Sequence, residues 1–392
     1  MRRRPARVQR RRRAAAVAGV VAGLVAAGMS ALPRPGIPRP DWETGSTEQG
    51  PVADGAVATR YVGSPLHRVL MGEGYRDVWA APIRAPVLNL AWFQPLKAGG
   101  GRQTRSLELR GADGREYRFR SLDKDQAKAL SPLPRLVMGR IRQDQVSALH
   151  PGASLVAAGL QDAAGVMNAS ARLVAMPAPA SLGQFGADYA GLPGTIQEYP
   201  RAGFRGVDRV VSTDSLWAEL RRRPGDRVNV EAYLRARLMD VYMGDWDRHE
   251  GQLRWARMAR GGAASWIVIP RDRDYAFSDY GGVIPGLARR VDPKIVRFDT
   301  AYRDLQGLLV KSRKLDLRLL CSVPQATWDS TAADLTVLLG DDAIAGAVFR
   351  MPQEWVRRSA ALEGTLRARR DRLPAVARRF RQHLHAGGGC AK

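Results

Sequence analysis

Apolar and polar positions switch between two periods along this chain. Residues alternate from Ser106 to Arg110 and again from Glu116 to Ser121, with Ala112-Asp-Gly114 turning between them. That pattern predicts an antiparallel meander. Pro86 to Phe93 is a run of β-formers and predicts a preceding strand, and Gly194-Thr-Ile-Gln-Glu-Tyr-Pro200 predicts a short one stopped by Pro200. A helix is expected around Ala153 to Ala164. Farther on, Leu234, Leu238, Val241 and Tyr242 fall on one helical face, with Asn229 as N-cap, Glu231 in the first turn and Gly244 as the stop. Leu253 to Trp255 and Trp266 to Ile269 read as strands, turned by Gly261-Gly262 and ended by Pro270. After Asp274 the periodicity is helical. Asp292-Pro293 suits a helix start. Arg303 to Val310, Leu315 to Leu320, Thr327 to Leu339 and Asp341 to Arg350 are further pieces. Pro352 opens a helix expected to run to Leu373, with Pro374 breaking or kinking it.

Acidic residues gather on both sides of the second hairpin. Asp245, Asp247 and His249 lie in the loop before it, and Asp272 and Asp274 follow it. Two acidic turns joined by a hairpin bring carboxylates together, which is what a divalent-metal, phosphate-handling site needs. Asp247 and Asp272 are 25 residues apart.

The order of helix, acidic loop, hairpin and acidic loop resembles the catalytic half of the protein-kinase-like fold. Asp247-Arg-His-Glu-Gly-Gln252 is similar to the Asp-Arg-His-x-x-Asn loop of HipA-type and phosphoinositide kinases. Pro270-Arg-Asp-Arg-Asp274 is similar to the Pro-Trp-Asp-x-Asp element of CotH-type kinases, and the secreted Golgi casein kinases also use an Asp-Arg-His loop. The resemblance spans roughly Pro82 to Ala276. It implies an α+β, two-lobed fold, with a β-rich nucleotide-binding-like lobe over residues 58–199 and a helical lobe over 200–392. It makes Asp247 the base or substrate-orienting carboxylate. It makes Gln252, Asp272 and Asp274 the metal-side residues, and Arg248 and His249 loop supports. Gln252 departs from Asn, but an amide oxygen still ligates a hard cation. The glycine-rich turn Lys97-Ala-Gly99-Gly100-Gly101-Arg-Gln103 stands where phosphates would be cradled. Arg120 takes the place of the third-strand lysine, with Lys124 as substitute. Glu198 and Tyr199 fall at the hinge. The next helix should carry an acid for Arg120 and offers only Asp162. The implied cofactors are Mg²⁺ or Mn²⁺ with ATP or another nucleotide.

The net charge of +24 is spread unevenly: residues 1–13 hold eight arginines and no acid, and residues 350–392 are also arginine-rich. The excess at the ends, with no zinc-finger spacing and no RNP-like or helix-turn-helix pattern, argues against sequence-specific nucleic-acid binding. Ala14 to Leu32 is 19 residues without a charge behind the arginines. Residues 1–32 therefore read as a signal peptide or an uncleaved inner-membrane anchor, with the body on the periplasmic or extracytoplasmic side. Residues 33–57 read as a flexible linker. Of the two cysteines, Cys390 sits in a Gly-rich tail, so no structural disulfide is expected. The substrate and oligomeric state are open.

Three function classes remain. The first is a metal-dependent kinase-like phosphotransferase. The second is an exported pseudokinase-like binding or scaffold protein of the envelope, suggested because an exported chain meets little ATP. The third is a metal-dependent phosphohydrolase, which usually needs more histidines than His249.

Overall fold

The meander around Ala112-Asp-Gly114 forms the centre of an upper sheet. The computed structural model describes residues 52–99, 103–125, 138–260, 263–386 and 389–390, within one unit, Gly45–Lys392. The 1–32 segment, most of the linker, Gly100, Gly101 and Gly261-Gly262 lie outside the described residues. Strand β1 (Val52–Ala56) pairs antiparallel with β2 (Pro82–Pro86), so the end of the expected linker is folded. The upper sheet holds β3 (Phe93–Gly99), β4 (Thr104–Gly111), β5 (Glu116–Lys124), β6 (Arg172–Ala175) and β7 (Pro193–Glu198). Its order is β3-β4-β5-β7-β6, with antiparallel neighbours throughout. The stretch from Pro86 to Phe93 is not a strand. Asn89 folds it into a turn, accepting from Ala91 N–H at 2.9 Å on its side chain and from Trp92 N–H at 3.1 Å on its carbonyl.

Helix α1 (Ala153–Ala163) crosses over between β5 and β6 and buries Leu155, Val156 and Leu160. Gly159 permits a close approach: a Cβ there would stand 2.7 Å from Ala347 Cα.

A second sheet, ordered β8-β10-β11-β9, joins β8 (Arg209–Ser212), β9 (Arg227–Val228), β10 (Leu253–Arg260) and β11 (Ala263–Pro270). Helix α2 (Val230–Tyr242) lies beneath it, and Asn229 caps it by accepting from Ala232 N–H at 2.9 Å. The other main helices are α3 (Arg313–Leu320), α4 (Gln325–Leu338), α5 (Asp341–Val348) and α6 (Ala360–His385). One apolar core runs through both parts, centred on Leu234, Leu238, Trp255, Trp266, Trp328 and Trp355. A five-stranded antiparallel sheet with α1 in its β5–β6 crossover, a strand leading out of it, and a helical half carrying the acidic hairpin make the architecture two-lobed and protein-kinase-like.

Three expectations are corrected in the helical lobe. Asp292 opens no helix; its side chain accepts from Lys294 N–H at 3.1 Å and makes a turn. Pro374 does not end a helix, since α6 continues through it. A proline inside a helix costs about 3 kcal/mol. Here Leu366, Leu373, Val376 and Phe380 are buried on both sides of it, and their burial offsets that cost. Cys390 is not a free tail residue. The chain turns back after α6, with Gly389 N–H reaching Ala386 O, and Cys390 forms a disulfide with Cys321 just past α3.

Candidate functional site

Helix α2 delivers the first acidic loop. Its last carbonyls are capped from a distance by the buried Arg369, which donates to Tyr242 O at 2.8 Å and Val241 O at 2.7 Å. Gly244 then takes a φ of 68°, and a Cβ there would stand 2.8 Å from Phe298. The backbone leaves the helix there and brings Asp247 beside Gln252 and Lys311. His249 steadies the next turn, its Nδ1 accepting from Gly251 N–H at 3.2 Å.

The hairpin register joins the two loops. Leu253 pairs with Pro270, and Arg271 N–H donates to Gln252 O at 2.9 Å. Gln252 therefore stands beside Asp272. Its Nε2 lies 3.2 Å from Asp272 Oδ2 and 3.5 Å from Asp247 Oδ2. The three residues expected to act together converge on one amide. Asp272 holds the left-handed conformation, φ 56°, which a short polar side chain tolerates best after glycine. Buried Arg248 ties this loop to the first by donating to Asp272 O.

A charged layer lies under the site. Arg273 donates to both Asp240 and Asp245, and also to Gln161 Oε1 on α1 at 3.2 Å. Burial raises the Asp245 carboxyl despite Arg248 and Arg273 beside it. For Asp240, burial pushes upward, but the arginines prevail and hold it below the usual range.

The upper lobe supplies cations. Arg120 Nη2 lies 3.0 Å from Asp272 Oδ1 and 2.8 Å from Asp274 Oδ2, and Lys124 Nζ lies 3.1 Å from Asp274 Oδ2. Burial alone would raise the Asp274 carboxyl, but these two cations pull it far below the usual carboxylate range. Asp274, expected on the metal side, is thus the counter-ion of Arg120 and Lys124. Asp162 does not face Arg120. It bonds Asn168 and pairs with Arg350, and Gln161 faces the cleft instead. Gly99 is paired with Ser106 at the end of β3, so it belongs to the strand.

The residues expected at the hinge have partners within the protein. Tyr199 N–H is taken by Glu116 O at 2.7 Å, and Pro200 has no N–H. Glu198 turns to Arg115 at 3.2 Å. The Tyr199 ring is instead surrounded by guanidinium groups. Arg118 and Arg271 lie 4.5 Å from its centroid and Arg201 4.7 Å, while Arg254 donates to its hydroxyl at 3.1 Å. Burial lowers Arg271 to about 10, and the neighbouring Arg254 and Arg118 add to that.

Sequence reasoning missed Lys311, which reaches Asp247 Oδ1 from the helical lobe and lies 4.7 Å from the Trp246 ring centroid. It also missed Arg118, Arg254 and Arg271. Two of these flank the acidic motifs, and their position beside them was the available signal.

Among the described residues, no group of three or more His, Cys, Asp or Glu side chains is placed to hold a metal ion. The donors that do converge are the Asp247 and Asp272 carboxylates with the Gln252 amide. Asp272 Oδ1 is buried and accepts no aligned hydrogen bond, although Arg120 is close. Oxygen donors of this kind suit a hard cation.

No protein-family model and no curated protein matches the chain. Two kinases are among the solved structures similar to it. The Helicobacter pylori proinflammatory kinase CtkA gives a TM-score of 0.38 at 10% identity, covering 75% of this chain and 96% of that one. The Golgi casein kinase gives 0.33 at 11% identity, covering 81% of this chain and 76% of that one.

Proposed function

We propose that the interlobe cleft carries out kinase-like, metal-dependent phosphoryl transfer to a hydroxyl-bearing substrate. The observation that carries this is Gln252 standing between Asp247 and Asp272, with Arg120 reaching Asp272 from the other lobe. Asp247 orients the attacking hydroxyl and takes its proton. Asp272 and the Gln252 amide, turned to present its oxygen, are the donors that would hold Mg²⁺ or Mn²⁺. Such an ion neutralises charge on the phosphates. Arg120 and Lys124 turn from Asp274 to the phosphates of the donor.

The test is a thermal-shift titration with nucleoside triphosphate and Mg²⁺ or Mn²⁺, beside a phosphotransfer assay. A ligand at 100-fold excess over its Kd stabilises by about 2.7 kcal/mol. Asp272→Ala should abolish the shift. Asp247→Ala should keep the shift and lose turnover. Equal loss of binding in both variants would overturn this division of roles.

A second reading, a binding or scaffold module without catalysis, has one observation in its favour. The carboxylates facing the cleft already have protein cations: Lys311 on Asp247, and Arg120 and Lys124 on Asp274. Absence of turnover in the presence of nucleotide binding would select it.

The Cys321–Cys390 disulfide supports a body that works in an oxidising compartment outside the cytoplasm. The arginine-led apolar segment at the N-terminus is the proposed route there, as signal or anchor. Fractionation of cells expressing a tagged full chain checks this; a cytoplasmic pool with reduced cysteines would contradict it.

A further inference from the structure

The hinge side of the cleft has more cations than its own carboxylates neutralise. Arg118 is matched by Glu108 and Arg201 by Glu116. Among the described residues Arg254 and Arg271 have no carboxylate within ion-pair distance; Arg254 donates to the Leu253 carbonyl at 2.8 Å. Both donate to the Tyr199 hydroxyl, at 3.1 and 3.3 Å. The Nε groups of Arg118 and Arg271 are buried and have no acceptor. These arginines arrive from β5, from the start of β10 and from the residue after β11, so the two lobes build the cluster together.

Guanidinium groups repel one another, and an orphaned buried N–H is costly. A neutral nucleobase offers ring-nitrogen and carbonyl acceptors but no negative charge to set against the guanidinium groups, and the Tyr199 backbone has no free N–H to offer it. Phosphate oxygens satisfy several guanidinium donors at once, in planar, bidentate geometry.

We propose that Arg118, Arg254 and Arg271, stacked on Tyr199, form a subsite for the phosphate groups of a small polyphosphorylated ligand. Phosphate, not a nucleobase, occupies the hinge side of the cleft. Resting on the reading of this cleft as the phosphate-handling site, this names its ligand class. Asp272 follows Arg271 directly, so a phosphate chain anchored at the hinge side leads toward the acidic loops. The phosphates could belong to a base-free polyphosphate or to a nucleotide bound with its base directed away from the hinge.

Calorimetric titration of the full chain with tripolyphosphate, ATP and adenosine, in EDTA and about 150 mM salt where longer-range surface attraction is screened, tests it. Tripolyphosphate should bind saturably at one site, and adenosine should not compete. Arg254→Gln and Arg271→Gln should each weaken binding at least tenfold. Arg271→Lys, which keeps the charge, should retain an intermediate affinity and report on folding. Arg379→Gln, on the exposed face of α6, should leave affinity unchanged. Tighter binding of ATP than tripolyphosphate, still without adenosine competition, would identify the nucleotide as the source of the phosphates and uphold the subsite. No saturable binding, equal binding by the Gln variants and wild type, or competition by adenosine would overturn it. EDTA separates the two readings. Arginine-dependent binding with no phosphotransfer on adding Mg²⁺ keeps this subsite and ends the catalytic reading. Mg²⁺-dependent turnover unaffected by Arg254→Gln and Arg271→Gln does the reverse.

Discussion

Arg120 and Asp272 belong to different lobes, yet Arg120 Nη2 lies 3.0 Å from Asp272 Oδ1 and the same nitrogen is 2.8 Å from Asp274 Oδ2. One guanidinium on β5 therefore holds the second acidic loop closed against the upper sheet. Lys124 reinforces this only at Asp274. In the phosphotransfer reading the pairing also holds cations ready for phosphates, since a polyanion entering the cleft would take over both side chains.

Arg120→Ala should destabilise the fold by about 3 kcal/mol, because breaking a buried pair leaves its partners uncompensated. Lys124→Ala should cost less, since Asp274 keeps Arg120. Urea unfolding of the two variants checks the order. A wild-type midpoint for Arg120→Ala would show that the lobes do not depend on this pair.

Acid sensitivity should trace to His150. Burial lowers its pKa from 6.5 to about 3. Its Nδ1 accepts from Gly152 N–H at 3.0 Å and its Nε2 stands 2.8 Å from Ser359 Oγ, so the neutral ring fits and an added Nδ1 proton would face a donor. Between pH 6.5 and 3 the unfolded state binds the proton and the folded state does not. Stability therefore falls as pH falls through that window, by about 2 kcal/mol at pH 5. Asp274 has a depressed pKa; its contribution is present above the unfolded value of 3.8 and is lost only below it. His150→Asn, which keeps an acceptor for Gly152, should flatten the melting temperature between pH 6.5 and 4.5. An unchanged slope would assign the effect elsewhere.

What the sequence revealed is what depends on near neighbours. The helix–loop–hairpin–loop from Asn229 to Asp274 is continuous, so the Leu253–Pro270 register that unites Gln252 with Asp272 follows from two strands and a turn. The meander was equally local, apart from Asn89, whose turn displaced the first strand. Lys311 reaches Asp247 across 64 residues and Cys321 reaches Cys390 across 69, and no periodicity marks such pairs. Pro374 was misjudged because local propensity opposes a helix there, while tertiary burial of Leu373, Val376 and Phe380 overrides it. Arg254 and Arg271 look like ordinary strand-end charges until β7 brings Tyr199 between them.

The disulfide should be a substantial part of the stability of the helical lobe. It closes a loop of sequence separation 69, for which the chain-entropy relation gives about 4 kcal/mol. Cys321→Ser with Cys390→Ser should lower the denaturation midpoint accordingly, and wild type with reductant should match the double variant. Equal midpoints with and without reductant would mean that the bridge contributes nothing.

Lys311 touches Asp247 and approaches the cleft from the helical lobe, opposite Arg120 and Lys124. Its side chain is 30% exposed, so its charge is not locked in the core. In the phosphotransfer reading it leaves Asp247 when the substrate hydroxyl arrives and meets the charge growing on the transferred group. Interactions made in the transition state act on turnover and leave donor affinity alone. Lys311→Met should therefore lower kcat by about 100-fold, as losing one charge-stabilising donor does. Donor affinity should change less than threefold, and Lys311→Arg should recover part of the rate. A purely structural pair would behave otherwise: Lys311→Met would shift the melting temperature and leave kcat where it was. Kinetics and melting curves on the same three proteins separate the two outcomes.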